Sequence, residues 1–136
     1  MTNTGKVSEA IFEGFFLKLG KRAFVHRVTD AAEVRGRSQG LNIIVKKQPS
    51  DYIVTANGEM FYAEVKSTED KTAFRKSQIE DGQWVAAVKQ TAAGGDYFFF
   101  VHALKSNLWY CIPAAHLIKS EAKSWKWEEL KTFIIQ

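Results

Sequence analysis

The stretch QPSDYIVTANGEMFYAEVKST, Gln48 to Thr68, decides the fold. Tyr52–Ala56 and Glu59–Ser67 are rich in β-branched and aromatic residues, the composition of strands. Asn57-Gly58 lies between them. That dipeptide tolerates positive φ at both positions and signals a two-residue hairpin turn. Such a turn sets the register: Ala56 faces Glu59, Thr55 faces Met60, and paired numbers sum to 115. Asp51 and Glu64 obey the same sum, so they are expected opposite each other on one face. Lys66, two residues past Glu64, shares that face. Tyr52, Val54, Phe61, Ala63 and Val65 take the other face, which suits a core.

Two carboxylates opposed across a ladder repel, and burial of such a pair raises a pKa. A hard divalent cation between them removes the conflict. An ammonium beside them then suits charge developing on a phosphate. The plainer alternative is a solvated strand end, with Lys66 neutralising Glu64.

The remaining sequence narrows the class. Its 136 residues suffice for one domain with its own core. We take 1–136 as that domain, with a core over roughly 5–118 and a C-terminal helix over 121–135. No apolar run reaches the ~18 residues of a membrane span. MTNTGKVSEA has no signal-peptide apolar segment. The single Cys111, in the apolar context WYCIP, reads as packing and excludes an internal disulfide framework. The single cysteine fits a reducing compartment, and a cytoplasmic location is expected. A net charge of +4 leans mildly toward polyanionic partners. His26, His102 and His116 are scattered without metal-ligand spacing and read as structural or surface residues.

Apolar periodicity predicts a helix over Val7–Leu19, and Ala23–Val28 reads as a strand. Thr29–Gly40 reads as a loop and Leu41–Val45 as a short strand or the return arm of a projection. Ser77–Ala92 reads as a helix that stops at Gly94-Gly95. Tyr97–Leu104 and Leu108–Ile112 read as strands. Ala114–Lys119 and Trp125–Ile135 read as helices. This order predicts an α/β (α+β) domain, a mixed sheet flanked by helices.

Asp51-x12-Glu64-x-Lys66 on a hairpin resembles the core motif of the PD-(D/E)XK nuclease superfamily, which has the restriction-endonuclease fold. The segment EVKSTEDKTAFRKSQIEDGQWVAAVKQTAAGG is similar to the RecU-type Holliday-junction resolvases. These carry an E-A-K, a K-T-x-F, a helix-borne Gln and a Gly pair. Lys71-Thr72-Ala73-Phe74 matches the second element. Gln83, 19 residues after Glu64, matches the third, with Gln78 as its rival. YFFFV and WYCIPAAHL match the next two strands, and GKVSE resembles the first-helix Gly-x3-Glu. The match extends over Asp51–Leu117 and also resembles archaeal-type and phage resolvases. Pro49 stands where the family has a hydroxyl residue, leaving Ser50 or a water to replace it. The segment before Asp51 is shorter than the family's junction-entering stalk.

The resemblance implies a Mg²⁺-dependent, structure-selective endodeoxyribonuclease that resolves four-way junctions in recombination and repair, with Mn²⁺ able to substitute. Asp51 and Glu64 are then metal ligands, with Gln83 and the Val65 carbonyl as further ligands. Lys66 orients water or stabilises the transition state, and Glu9, or alternatively Glu13, contributes from the first helix. Two symmetric nicks imply a homodimer. Arg35, Arg37, Lys46, Lys47, Lys71 and Arg75 flank the site in sequence and are candidate DNA contacts; Lys76 lies beside them. Trp125 and Trp127, interleaved with Lys123 and Lys126, are candidates for base stacking, for packing in the C-terminal helix or for part of a dimer contact. The competing readings are a restriction- or repair-type nuclease with another DNA substrate, and a non-catalytic DNA-binding module of the same fold.

Overall fold

The Asn57-Gly58 turn forms as the dipeptide demands, with φ of 52° and 83°. It joins β2 (Tyr52–Ala56) to β3 (Glu59–Thr68) in the computed structural model, which describes residues 4–28 and 48–136. Pairing runs from Tyr52 opposite Ala63 to Ala56 opposite Glu59, the expected register. Upstream, helix α1 (Thr4–Gly14) leads through a 3₁₀ segment to β1 (Ala23–Arg27). After the hairpin come a short β4 (Ala73–Arg75), helix α2 (Asp81–Ala92), β5 (Tyr97–Ala103) and β6 (Leu108–Pro113). Helix α3 (Ala114–Ser120), β7 (Ser124–Lys126) and the single turn α4 (Trp127–Leu130) complete the order.

The main sheet has the order β1-β2-β3-β5-β6. Only β3 and β5 are parallel in it. A parallel pair needs a crossover rather than a hairpin, and α2 lies within that connection. Strand alternation then divides the core in two. Phe12 of α1 packs with Tyr52, Val54, Ala63, Val65, Phe100 and Trp109 on one face. On the other, Phe99 and Val101 join Phe74, Ala87, Leu117, Trp125 and Leu130. This is the mixed sheet flanked by helices that the sequence predicts.

Three boundaries depart from expectation. The first helix ends at Gly14 rather than Leu19. The chain tightens there, with Phe15 N–H donating to the Phe12 carbonyl at 3.0 Å, and Phe15 reaches Trp109 at 5.1 Å between ring centres. Helix α2 begins at Asp81, not Ser77, because Lys76–Gln78 form a separate 3₁₀ turn. The largest departure is at the C-terminus. Trp125–Ile135 is not one helix: Trp125 lies in β7, opposite Phe74 of β4. Trp109 N–H donates to the Gln136 carbonyl and Ile135 N–H to the Trp109 carbonyl, each at 2.9 Å, so the tail runs along β6. The loop expected over 29–40 and the strand over 41–45 lie outside the described residues.

Gly58 requires its left-handed φ, which a side chain adopts at a cost of roughly 1–2 kcal/mol. Gly58→Ala is therefore expected to lower unfolding free energy by about that amount. Urea denaturation checks it, and an unchanged midpoint would mean that the turn does not depend on this glycine.

Candidate active site

Strand alternation sends the side chains of Glu64 and Lys66 to the face opposite Ala63 and Val65. At the mouth of the hairpin Asp51 and β3 clasp each other. Asp51 N–H donates to Glu64 Oε1, and Val65 N–H donates to Asp51 Oδ2, each at 3.0 Å. Lys66 Nζ stands 3.4 Å from Glu64 Oε2. Gln83, in the first turn of α2, donates through Nε2 to the same Oε2 at 2.6 Å. Its Oε1 accepts the Glu80 N–H at 3.2 Å, which fixes the amide's orientation. Of the two glutamine candidates, Gln83 is thus the one that touches Glu64. Gln78 donates instead to Thr68 Oγ1.

These groups line one depression, together with Glu9, Lys6, Arg27 and Glu80. Glu64 is 2% exposed. Burial first, and then the charge of Asp51, push its carboxyl up to about 8, against the opposing pull of Lys66. Burial also raises Asp51, although the Val65 N–H and Lys66 oppose it. Glu9 is raised by burial and then by Asp51. Glu13, the alternative to Glu9, accepts the Tyr52 hydroxyl at 2.8 Å and lies outside this lining.

The sequence does not single out Lys6, Arg27 or Glu80. Arg27 reaches the depression because β1 continues along the hairpin, Val28 N–H donating to the Asp51 carbonyl at 2.8 Å. That pairing joins segments far apart in sequence, so periodicity gives no sign of it.

The other candidates are placed as follows. Ser50 is buried and donates to the Tyr52 carbonyl at 2.8 Å. His102 bridges Ser8 Oγ and Asn107 Oδ1 while stacking on Trp109, a structural arrangement. Burial raises the Cys111 thiol to about 12, which leaves it inert. Trp125 is buried and donates to Ser120 Oγ, and Trp127 donates to the Asp70 carbonyl. Trp125 is thus a core residue, whereas Trp127 is half-buried and packs on Phe74 and Tyr110. Lys71 is exposed. Arg75 Nε is 2.6 Å from Asp70 Oδ2. The Thr72 N–H, then Arg75, hold that carboxyl well below its usual range. Arg35, Arg37, Lys46 and Lys47 lie outside the described residues.

Among the described residues, no group of three or more His, Cys, Asp or Glu side chains is placed to hold a metal. The donors that do converge are two carboxylates and an amide. That set would suit a hard divalent cation that keeps several waters and takes one or two carboxylates plus further oxygen ligands. It does not suit an ion that needs an all-protein cage.

A search of solved structures finds the same architecture in Hjc, a Holliday junction resolvase from the archaeal hyperthermophile Archaeoglobus fulgidus. The TM-score is 0.60 at 16% identity, over 94% of this chain and 93% of that one. At that identity the likeness is one of fold. No individually curated protein matches the sequence. The family model described as Recombination protein U matches residues 21–136. With most of the chain covered by that model, and the Asp51–Glu64–Lys66 motif lying within the match, the chain belongs to the recombination protein U family of Holliday-junction resolvases.

Proposed function

We propose that this resolvase hydrolyses phosphodiesters at the depression formed by Asp51, Glu64, Lys66 and Gln83, in a divalent-metal-dependent reaction, and that it acts as a homodimer. The observation that carries this reading is the opposition of two buried or half-buried carboxylates, with an amine and an amide gathered on one of them. Asp51 and Glu64 would hold Mg²⁺, Gln83 would orient a ligand beside it, and Mn²⁺ would serve in its place. The bound ion would activate water and neutralise phosphate charge. Lys66, 3.4 Å from Glu64, is positioned to stabilise negative charge that develops on the phosphate. Glu9 would bind through water at the rim. Lys71 and Arg75, with Arg35, Arg37, Lys46 and Lys47, would contact phosphates of the junction arms. Resolution takes two opposed nicks, which a two-fold dimer supplies.

Asp51→Asn and Glu64→Gln are each expected to abolish cleavage of a labelled four-way junction while binding survives. Mg²⁺-dependent cleavage by both variants would sink the assignment. Lys66→Ala should keep binding and slow cleavage by about 10²–10³, the usual cost of one transition-state donor. A loss under about tenfold would return Lys66 to the role of a counter-charge.

The raised carboxyls also fix a pH dependence. Without metal, the folded chain keeps a proton on Glu64 up to about 8, whereas its ordinary value is 4.5. The unfolded chain therefore releases protons first, and stability falls as pH rises through that window before levelling off. Asp51 and Glu9 are raised as well and act in the same direction. Urea midpoints in EDTA should drop between pH 5 and pH 8, and Mg²⁺ should restore more stability at pH 8 than at pH 5. Glu64→Gln should flatten the profile. A metal-free midpoint that rises with pH would contradict the buried-carboxylate account.

A further inference from the structure

On another side of α2 lies a cleft of about 590 Å³. Arg75, Lys76, Trp84, Lys123 and Asp81 are among its lining. Its charge balance differs from that of the catalytic depression: three basic side chains against one acidic one here, four acidic against three basic there. The β4–β7 ladder produces this. It pairs Arg75 with Ser124 and Phe74 with Trp125, and one step further Lys76 N–H donates to the Lys123 carbonyl at 2.9 Å. Two lysines are therefore held opposite each other at the end of a ladder, where like charges destabilise it. No carboxylate among the described residues forms an ion pair with either one. The ring of Trp84 holds Lys76 Nζ 4.6 Å from its centroid. Trp84 itself leans on Trp125 at 6.5 Å, within the core.

We propose that this cleft binds a backbone phosphate of a DNA arm leaving the catalytic depression, with Lys76 and Lys123 as the paired cations and Trp84 fixing Lys76. The proposal rests on the nuclease reading above for the identity of its polyanion. Gln83 and Trp84 are neighbours on α2, one turned to Glu64 and the other to the cleft. Successive helical residues point about 100° apart, so the two sites flank α2 within one helix diameter, about 10–12 Å. A strand covers that in about three nucleotides at ~3.4 Å rise. The catalytic depression sets Glu9, Asp51, Glu64 and Glu80 against Lys6, Arg27 and Lys66, so it carries no surplus of positive charge and the polyanion gains from cations outside it. The paired lysines beside the same helix supply them.

Binding is measured in EDTA, so that no cleavage occurs, on linear duplex and four-way junction across a range of salt. Lys76→Gln/Lys123→Gln keeps both apolar stems and should lower the slope of log K against log salt by about 0.9, the contribution of one neutralised phosphate. Lys76→Arg/Lys123→Arg should retain the wild-type slope. Trp84→Phe, with both lysines in place, should weaken binding less than the double Gln variant. Lys18→Gln/Lys21→Gln removes the same charge elsewhere and should leave the slope within about half a unit. An unchanged slope for the cleft variant, or an equal fall for the control pair, overturns the cleft. The nuclease reading stands or falls separately, on wild-type cleavage with Mg²⁺. A wild type that binds without cutting would sink that reading and leave the cleft to be judged on its slopes.

Discussion

The structure depends most on one reciprocal clasp. Asp51 gives its N–H to the Glu64 carboxylate and takes the Val65 N–H on its own. In an ordinary ladder those amides would find carbonyls. Here, where β2 begins, they find carboxylates, so strand pairing and site assembly are the same event. A slip of one residue would send Glu64 and Lys66 into the core and turn Ala63 and Val65 outward. The Asn57-Gly58 turn and the buried Tyr52, Val54 and Ala63 all oppose that slip. The hairpin core therefore determines where the chemistry sits.

The clasp also concentrates conflict. A carboxylate 2% exposed, facing a second carboxylate, would be an error in a purely structural domain. Lys66 and the Gln83 amide offset part of the repulsion, yet Glu64 still titrates near 8. Residual repulsion of this kind would favour a bound cation, since an ion there would remove a cost that the fold leaves in place.

What was legible in the sequence was what is local. A two-residue turn carries its register with it, so Asp51, Glu64 and Lys66 could be placed on one face by counting. Gln83 followed from a family spacing, and the structure brings its amide to Glu64. What was not legible depends on segments that meet from afar. Arg27 arrives by the pairing of β1 with β2, and Trp125 enters a strand because Phe74 waits opposite it. Trp125 did carry a weak signal: Ser124-Trp125-Lys126-Trp127 alternates polar and apolar, the pattern of a strand rather than a helix. The early end of α1 reflects two aromatic residues, Phe15 and Phe16, turning onto Trp109 and Phe12 in place of one more helical turn.

Helix α2 links these levels. It lies within the crossover that lets β3 and β5 run parallel, so topology requires an element there whatever the function. Its first turn faces Glu64, and the N-terminal end of a helix carries partial positive charge. Gln83 extends that polarity onto the carboxylate through its Nε2. The same turn that a parallel pair demands thus moderates the buried negative charge before any ligand arrives. Its apolar side meanwhile buries Ala87 in the second core, which fixes the helix's rotation and so the reach of Gln83. A substitution at Ala87 would be felt at Glu64 without touching it, because the helix cannot rotate to accommodate a larger side chain without carrying the amide away.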